Sequence, residues 1–101
     1  MDTFFETVSA LKDETRITLL RFLQENGEMC VCDLVNSFDM IQSRLSRHLK
    51  ILKDAGFLIV KRRGRWAYYE IRSPLDRFRS EALREIETLD IILPKHKSSC
   101  K

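Results

Sequence analysis

Residues 42–71 read QSRLSRHLKILKDAGFLIVKRRGRWAYYEI, and their periodicity changes once. In the first half, Leu45, Leu49 and Leu52, with Ile41 just ahead of them, return every three to four positions. That spacing predicts a helix with one buried stripe and a polar outer face. From Phe57 the period falls to two. FLIVKR and WAYYEI are rich in β-branched and aromatic residues, and the RG between them supplies a turn, which predicts a β-hairpin with a basic tip. Gly56 separates the two patterns as a helix stop.

The rest of the chain arranges itself around this unit. Asp39 and Gln42 have capping-box spacing and predict the helix start, with the helix running to about Ala55. Upstream, Phe4, Phe5, Val8 and Leu11 predict a first helix, and Asp13 caps a second whose face is Ile17, Leu20 and Leu23 and whose end is Asn26-Gly27. Val31, Leu34, Val35 and Phe38 mark a short third helix. Downstream, Ser73-Pro74 pairs an N-cap with a proline at the first helical position, and Leu75, Phe78, Ala82, Ile86, Leu89 and Leu93 carry a last helix that Pro94 stops. The expected fold is mainly α with a β-hairpin wing, a winged helix-turn-helix. Residues 1–93 form the expected domain, and 94–101, KHKSSCK after Pro94, a flexible polar tail.

Charge is distributed unevenly. Residues 1–40 hold three basic and eight acidic side chains, whereas residues 41–72 hold nine basic and two acidic ones. A basic block on a helix and a hairpin predicts a face for a polyanion. In a winged helix-turn-helix that helix enters the major groove of double-stranded DNA and the wing lies along the backbone. Gln42, Ser43, Ser46, Arg47 and Lys50 fall on its outer face. Gln and Arg can each form paired hydrogen bonds to a base, and Ser adapts to base or phosphate. Arg44 and Lys53, with Lys61, Arg62, Arg63 and Arg65 of the hairpin, are placed for phosphate, giving affinity more than sequence choice. Trp66, Tyr68 and Tyr69 could stack on unpaired bases, but aromatic residues of a hairpin more often pack on a core. His48 lies at the edge of the stripe and reads as a structural histidine, and no nucleophile or acid–base partner has recognisable spacing around it, so no enzyme is expected.

The same stretch, QSRLSRHLKILKDAGFLIVKRRGRWAYYEI, resembles the recognition helix and wing of the ArsR/SmtB family of metal-responsive repressors, and ALKDETRITLLRFL resembles the family's second-helix signature. Together with CVCDL these stretches run through most of residues 9–71. The resemblance implies a homodimer, built from the first and last helices, that blocks transcription at a partly palindromic operator until an inducer binds. One departure is visible: the family usually has a small hydroxyl residue where this chain has Ile41.

Cys30 and Cys32 are two of three cysteines, and the N-terminus lacks the pattern of a secretory leader. The apolar runs are shorter than the ~20 residues a membrane span needs. A cytoplasmic protein with reduced thiols is expected, in which close cysteines suggest metal or redox chemistry. Thiolates suit thiophilic ions, and a helix start favours the thiolate, against which Glu28 and Asp33 act. On a regular helix residues two apart point about 200° apart. Both sulfurs reach one ion only if Cys30 stands before the helix or the first turn deforms. Two small core cysteines are the plain alternative.

CVCDL also resembles the arsenic-sensing motif of the arsenical-resistance repressors, which implies As(III) or Sb(III) as inducer and no cofactor for DNA binding. That motif continues with a third cysteine where this chain has Val35. Cys100 is the remaining thiol and the candidate third ligand, within one chain or across the dimer; an unconstrained tail thiol is the alternative. The last helix lacks the Asp/His and His/Glu pairs of the family's zinc sites, and the N-terminal segment lacks the cysteines of its cadmium and lead sensors. A thiol redox-sensing repressor on the same fold is the competing function, with a disulfide between Cys100 and a helix cysteine.

Overall fold

The computed structural model describes residues 1–98. Five helices and a three-stranded antiparallel sheet follow in the order α1 (Asp2–Ala10), α2 (Glu14–Asn26), β1 (Met29–Cys30), α3 (Val31–Phe38), α4 (Gln42–Asp54), β2 (Leu58–Arg63), β3 (Trp66–Ile71) and α5 (Arg77–Thr88). This is the winged helix-turn-helix that the period change predicts. Leu45, Leu49 and Leu52 of α4 are fully buried against Leu19, Leu20, Phe22 and Leu23 of α2 and Leu34 of α3, in a core closed by Phe57 and Leu58. Burying each of these large side chains contributes ~1.5–3 kcal/mol, so the stripe fixes which face of α4 is left for solvent.

Local chemistry sets most boundaries. Asp13 caps α2 as expected: its backbone is extended and its carboxylate accepts the Arg16 backbone N–H at 3.1 Å. Gly27, at φ +77°, ends the helix. The hairpin is joined by the two residues Gly64 and Arg65, since Arg63 pairs with Trp66 across it. Gly64 takes the positive φ that a two-residue loop requires at its first position.

Four expectations are corrected. Asp39 does not cap α4; it ends α3 in the left-handed conformation, φ 50° and ψ 52°, which Asp tolerates better than most residues. Ile41 is then the N-cap of α4 and is 73% exposed, so the buried stripe begins at Leu45. The last helix is shorter at both ends than Ser73 to Leu93. Asp76 is its N-cap, and at its other end Arg21 of α2 donates to the carbonyls of Ile86 at 3.0 Å and Leu89 at 2.9 Å, after which the chain continues extended. Finally, the hairpin acquires a third strand: Met29 and Cys30 pair with Tyr69 and Tyr68 of β3, giving the sheet order β1-β3-β2.

One side chain ties the ends of the fold together. Arg79 of α5 donates to the Ala55 carbonyl at 2.8 Å and to the hydroxyl of buried Thr7 on α1 at 3.0 Å, and it pairs with Asp76 at 2.7 Å. Gly56 faces it at φ +87°, where an added Cβ would lie 2.7 Å from Arg79 Nε.

Candidate functional site: a thiol pair in a basic groove

Cys30 belongs to β1 and is the N-cap of α3, whereas Cys32 lies in the first helical turn. Because the N-cap backbone is extended, at φ −67° and ψ 145°, the two side chains do not diverge as they would within a helix. Their sulfurs lie 2.6 Å apart, and Cys30 Sγ also accepts the Cys32 backbone N–H at 3.4 Å. Of the two arrangements that could bring both sulfurs to one ion, the chain adopts the one with Cys30 ahead of the helix.

The thiolate activation expected from the helix start is absent at Cys30. Burial, followed by the hydrogen bond with the Cys32 side chain, pushes the Cys30 thiol up to about 11. It therefore carries its proton at neutral pH. Cys32 Sγ lies 3.9 Å from an Asp33 carboxylate oxygen. Cys100 lies outside the described residues, among which no cluster of three or more His, Cys, Asp or Glu could hold an ion.

A groove of about 480 Å³ opens over the pair, and its lining joins Cys30 and Cys32 to Gln42, Ser46 and Lys50 of α4 and to Arg62 and Arg65 of the wing. Lys53 and Trp66 also stand in its walls. Ser43, Arg44 and Arg47 stand exposed on α4 beside it. Lys50 pairs with Asp54 at 2.8 Å, which raises the lysine's pKa and lowers the aspartate's, and both remain solvated. Arg65 lies over the Trp66 ring, 5.1 Å from its centre.

Two wing cations are held by acids. Arg63 makes a two-pronged pair with Glu28, at 2.9 and 3.2 Å, and lies over Tyr68; Lys61 pairs with Glu70 at 2.8 Å, which raises its pKa, and approaches Glu28 at 3.8 Å. Glu28 is thus a strut between the wing and the strand that carries Cys30. Sequence reading missed it, because nothing local marks a partner so distant along the chain.

His48 is the structural histidine expected. Its Nδ1 lies 3.2 Å from Arg16 Nη1, and because a guanidinium only donates, Nδ1 accepts. Burial lowers its pKa; Asp13 opposes this, and Arg16, Arg44 and Arg47 add to it. Arg16 also donates to the Ala10 carbonyl at 2.7 Å, so the pair joins α4 to the end of α1. Tyr69 packs on the core, and Trp66 is 39% exposed.

Helix, short helix, exposed helix and basic wing define a winged helix-turn-helix protein. Residues 13–60 match the family described as bacterial regulatory protein, arsR family. The arsenical resistance operon repressor of Escherichia coli is 43% identical over 61 residues, covering 60% of this chain and 52% of that one. The arsenic resistance transcriptional regulator ArsR2 of Pseudomonas putida is 34% identical over 79 residues, 78% of this chain and 69% of that one. A cadmium resistance regulatory protein CadC homolog of Staphylococcus aureus is 36% identical over 62 residues, 61% and 51% of the two chains. Among solved structures, Rv0081 of M. tuberculosis superposes with a TM-score of 0.67 at 30% identity, covering 79% of this chain and 77% of that one. The chain belongs to the arsR family of bacterial regulatory proteins. It spans about half the length of several of the curated relatives it matches.

Proposed function

We propose that this chain is a transcriptional repressor that binds operator DNA as a homodimer and is released when As(III) or Sb(III) binds the cysteine thiols. The observation that carries this reading is the shared groove: the thiol pair and the cations of helix and wing line one cleft. Gln42, Ser43, Ser46 and Arg47 face base edges, while Arg44, Lys50, Arg62, Arg63 and Arg65 neutralise phosphates. Phe4, Phe5 and Phe78, exposed on α1 and α5 with the Phe4 ring against each of the other two, supply the apolar face that a second copy covers. Two such domains read half-sites about one helical turn, ~34 Å, apart.

The donor set fits the inducer. Two soft sulfurs already lie side by side, and Cys30 and Cys32 hold the metalloid, which supplies a thiophilic centre able to take several sulfurs. Cys30 is both the cap of α3 and the strand partner of Tyr68 in the wing. A ligand on its sulfur removes the acceptor used by the Cys32 N–H and acts on helix and wing together. The redox-sensing alternative has less support at Cys30, because a thiol held near 11 supplies little of the thiolate that peroxide attacks.

Operator binding measured with and without arsenite, antimonite or Cd(II) tests the reading. Arsenite or antimonite is expected to weaken the complex, and the Cys30→Ser, Cys32→Ser double variant to bind DNA without responding. An unaltered response in that variant, or release by Cd(II) or peroxide and by neither metalloid, would overturn it.

A further inference from the structure

The start of α4 breaks two local rules at one position. Ile41 is the N-cap, a place where Ser, Thr, Asp or Asn supplies an oxygen to the first helical N–H groups, and an all-carbon side chain offers none. The same side chain is left in solvent, although Leu45, one turn further along the same side of the helix, is fully buried. Both features lower stability, the first through the missing acceptor and the second through apolar surface kept in water. Such departures from local preference concentrate at functional sites.

The place of Ile41 in the fold says which function. It directly precedes Gln42, and Gln42, Ser46 and Lys50 line the groove that also holds Arg62 and Arg65 of the wing. Residues 41–44 are all exposed, and the first turn, Gln42-Ser43-Arg44, carries no acid. In helix-turn-helix proteins the N-terminal residues of the recognition helix are those that meet base edges. Those edges present hydrogen-bonding nitrogens and oxygens in the major groove, and one apolar substituent, the C5-methyl of thymine. An isoleucine side chain has no hydrogen bond to offer the former and packs well on the latter. We infer that Ile41 is a specificity-determining residue that packs on a thymine methyl in each operator half-site, ahead of the hydrogen-bonding set that begins at Gln42. This rests on the DNA-binding reading above and adds an apolar contact to it.

The test removes the methyl and nothing else. A duplex enriched by the full chain from a random-sequence pool serves as operator, and its thymines are replaced, one symmetric pair at a time, by deoxyuridine, which keeps every hydrogen-bonding atom. In anisotropy titrations of the unaltered chain, one pair is expected to weaken binding about fourfold for each methyl removed. Ile41→Ser should bind the thymine and deoxyuridine duplexes equally at that pair, whereas Ile41→Val, which keeps a branched apolar side chain, should still favour thymine. Each comparison is made within one protein, so a change in folding does not imitate the result. A preference for thymine that persists undiminished in Ile41→Ser, or no thymine pair that responds in the unaltered chain, would overturn Ile41 as the reader and leave the repressor reading standing. Failure of the chain to enrich any sequence would overturn both.

Discussion

The protonated state of Cys30 can be tested through the pH dependence of ion binding, which should differ in kind between a divalent cation and arsenous acid. Burial and the Cys32 contact push the Cys30 thiol up to about 11, so it keeps its proton well above neutrality. A divalent cation must release that proton to solvent, and its apparent affinity then rises about tenfold per pH unit from Cys30 alone. Between about pH 6.5 and 8.5 this amounts to roughly a hundredfold, or ~2.7 kcal/mol at 1.36 kcal/mol per unit. Arsenous acid brings its own hydroxides. Each thiol proton departs as water, no proton reaches solvent, and arsenite affinity should stay flat over the same range. Competition titrations of Cd(II) and arsenite, followed through loss of operator binding or by calorimetry in two buffers of different ionisation enthalpy, read both slopes. A flat Cd(II) profile would show that Cys30 is already a thiolate, and the assignment of a buried neutral thiol would fail. An arsenite profile rising with the Cd(II) slope would show that the thiol protons do not leave as water.

Further perturbations probe the frame around the groove. Gly56→Ala places a Cβ 2.7 Å from Arg79 Nε at φ +87° and should cost ~1–3 kcal/mol in urea unfolding; a neutral result would dissociate Arg79 from the packing of α1, α4 and α5. Arg47→Ala should lower discrimination between operator and random DNA by ~1–3 kcal/mol in anisotropy titrations, and equal loss on both DNAs would assign Arg47 to phosphate. His48 has a lowered pKa, so the unfolded chain takes up its proton first on acidification. Its contribution is present above the ordinary histidine pKa and is lost as pH falls through the depressed folded value. Stability from urea midpoints should therefore fall on acidification, and His48→Gln should flatten that part of the profile.

The stretch from Gln42 to Ile71 was legible because α4 is amphipathic and the paired strands that follow are rich in β-branched and aromatic residues, so that the end of the 3.6-residue period at Gly56 marks the junction without outside information. The ends of elements were harder to read. Asp39 suits a helix start and a left-handed helix end alike, and tertiary packing chose the second. The end of α5 is set by Arg21, a residue of α2 that no local pattern associates with it. Met29-Cys30 is too short to carry a strand period and exists as a strand through its pairing with Tyr69 and Tyr68. The site divides in the same way. That two neighbouring thiols could meet at a helix start followed from helix geometry, whereas the burial that keeps Cys30 protonated and the Glu28–Arg63 strut are products of the folded assembly.

The chain has a single tryptophan, and Trp66 stands in the wall of the groove that also holds the thiol pair, with the Arg65 guanidinium over its ring. Its indole emission comes from one place and depends on nearby charge and solvent. The protein thus contains an intrinsic optical reporter: nucleic acid drawing Arg65 away, or a heavy atom held by the sulfurs, should alter the fluorescence of the same ring, so both events can be followed in one cuvette without an attached dye.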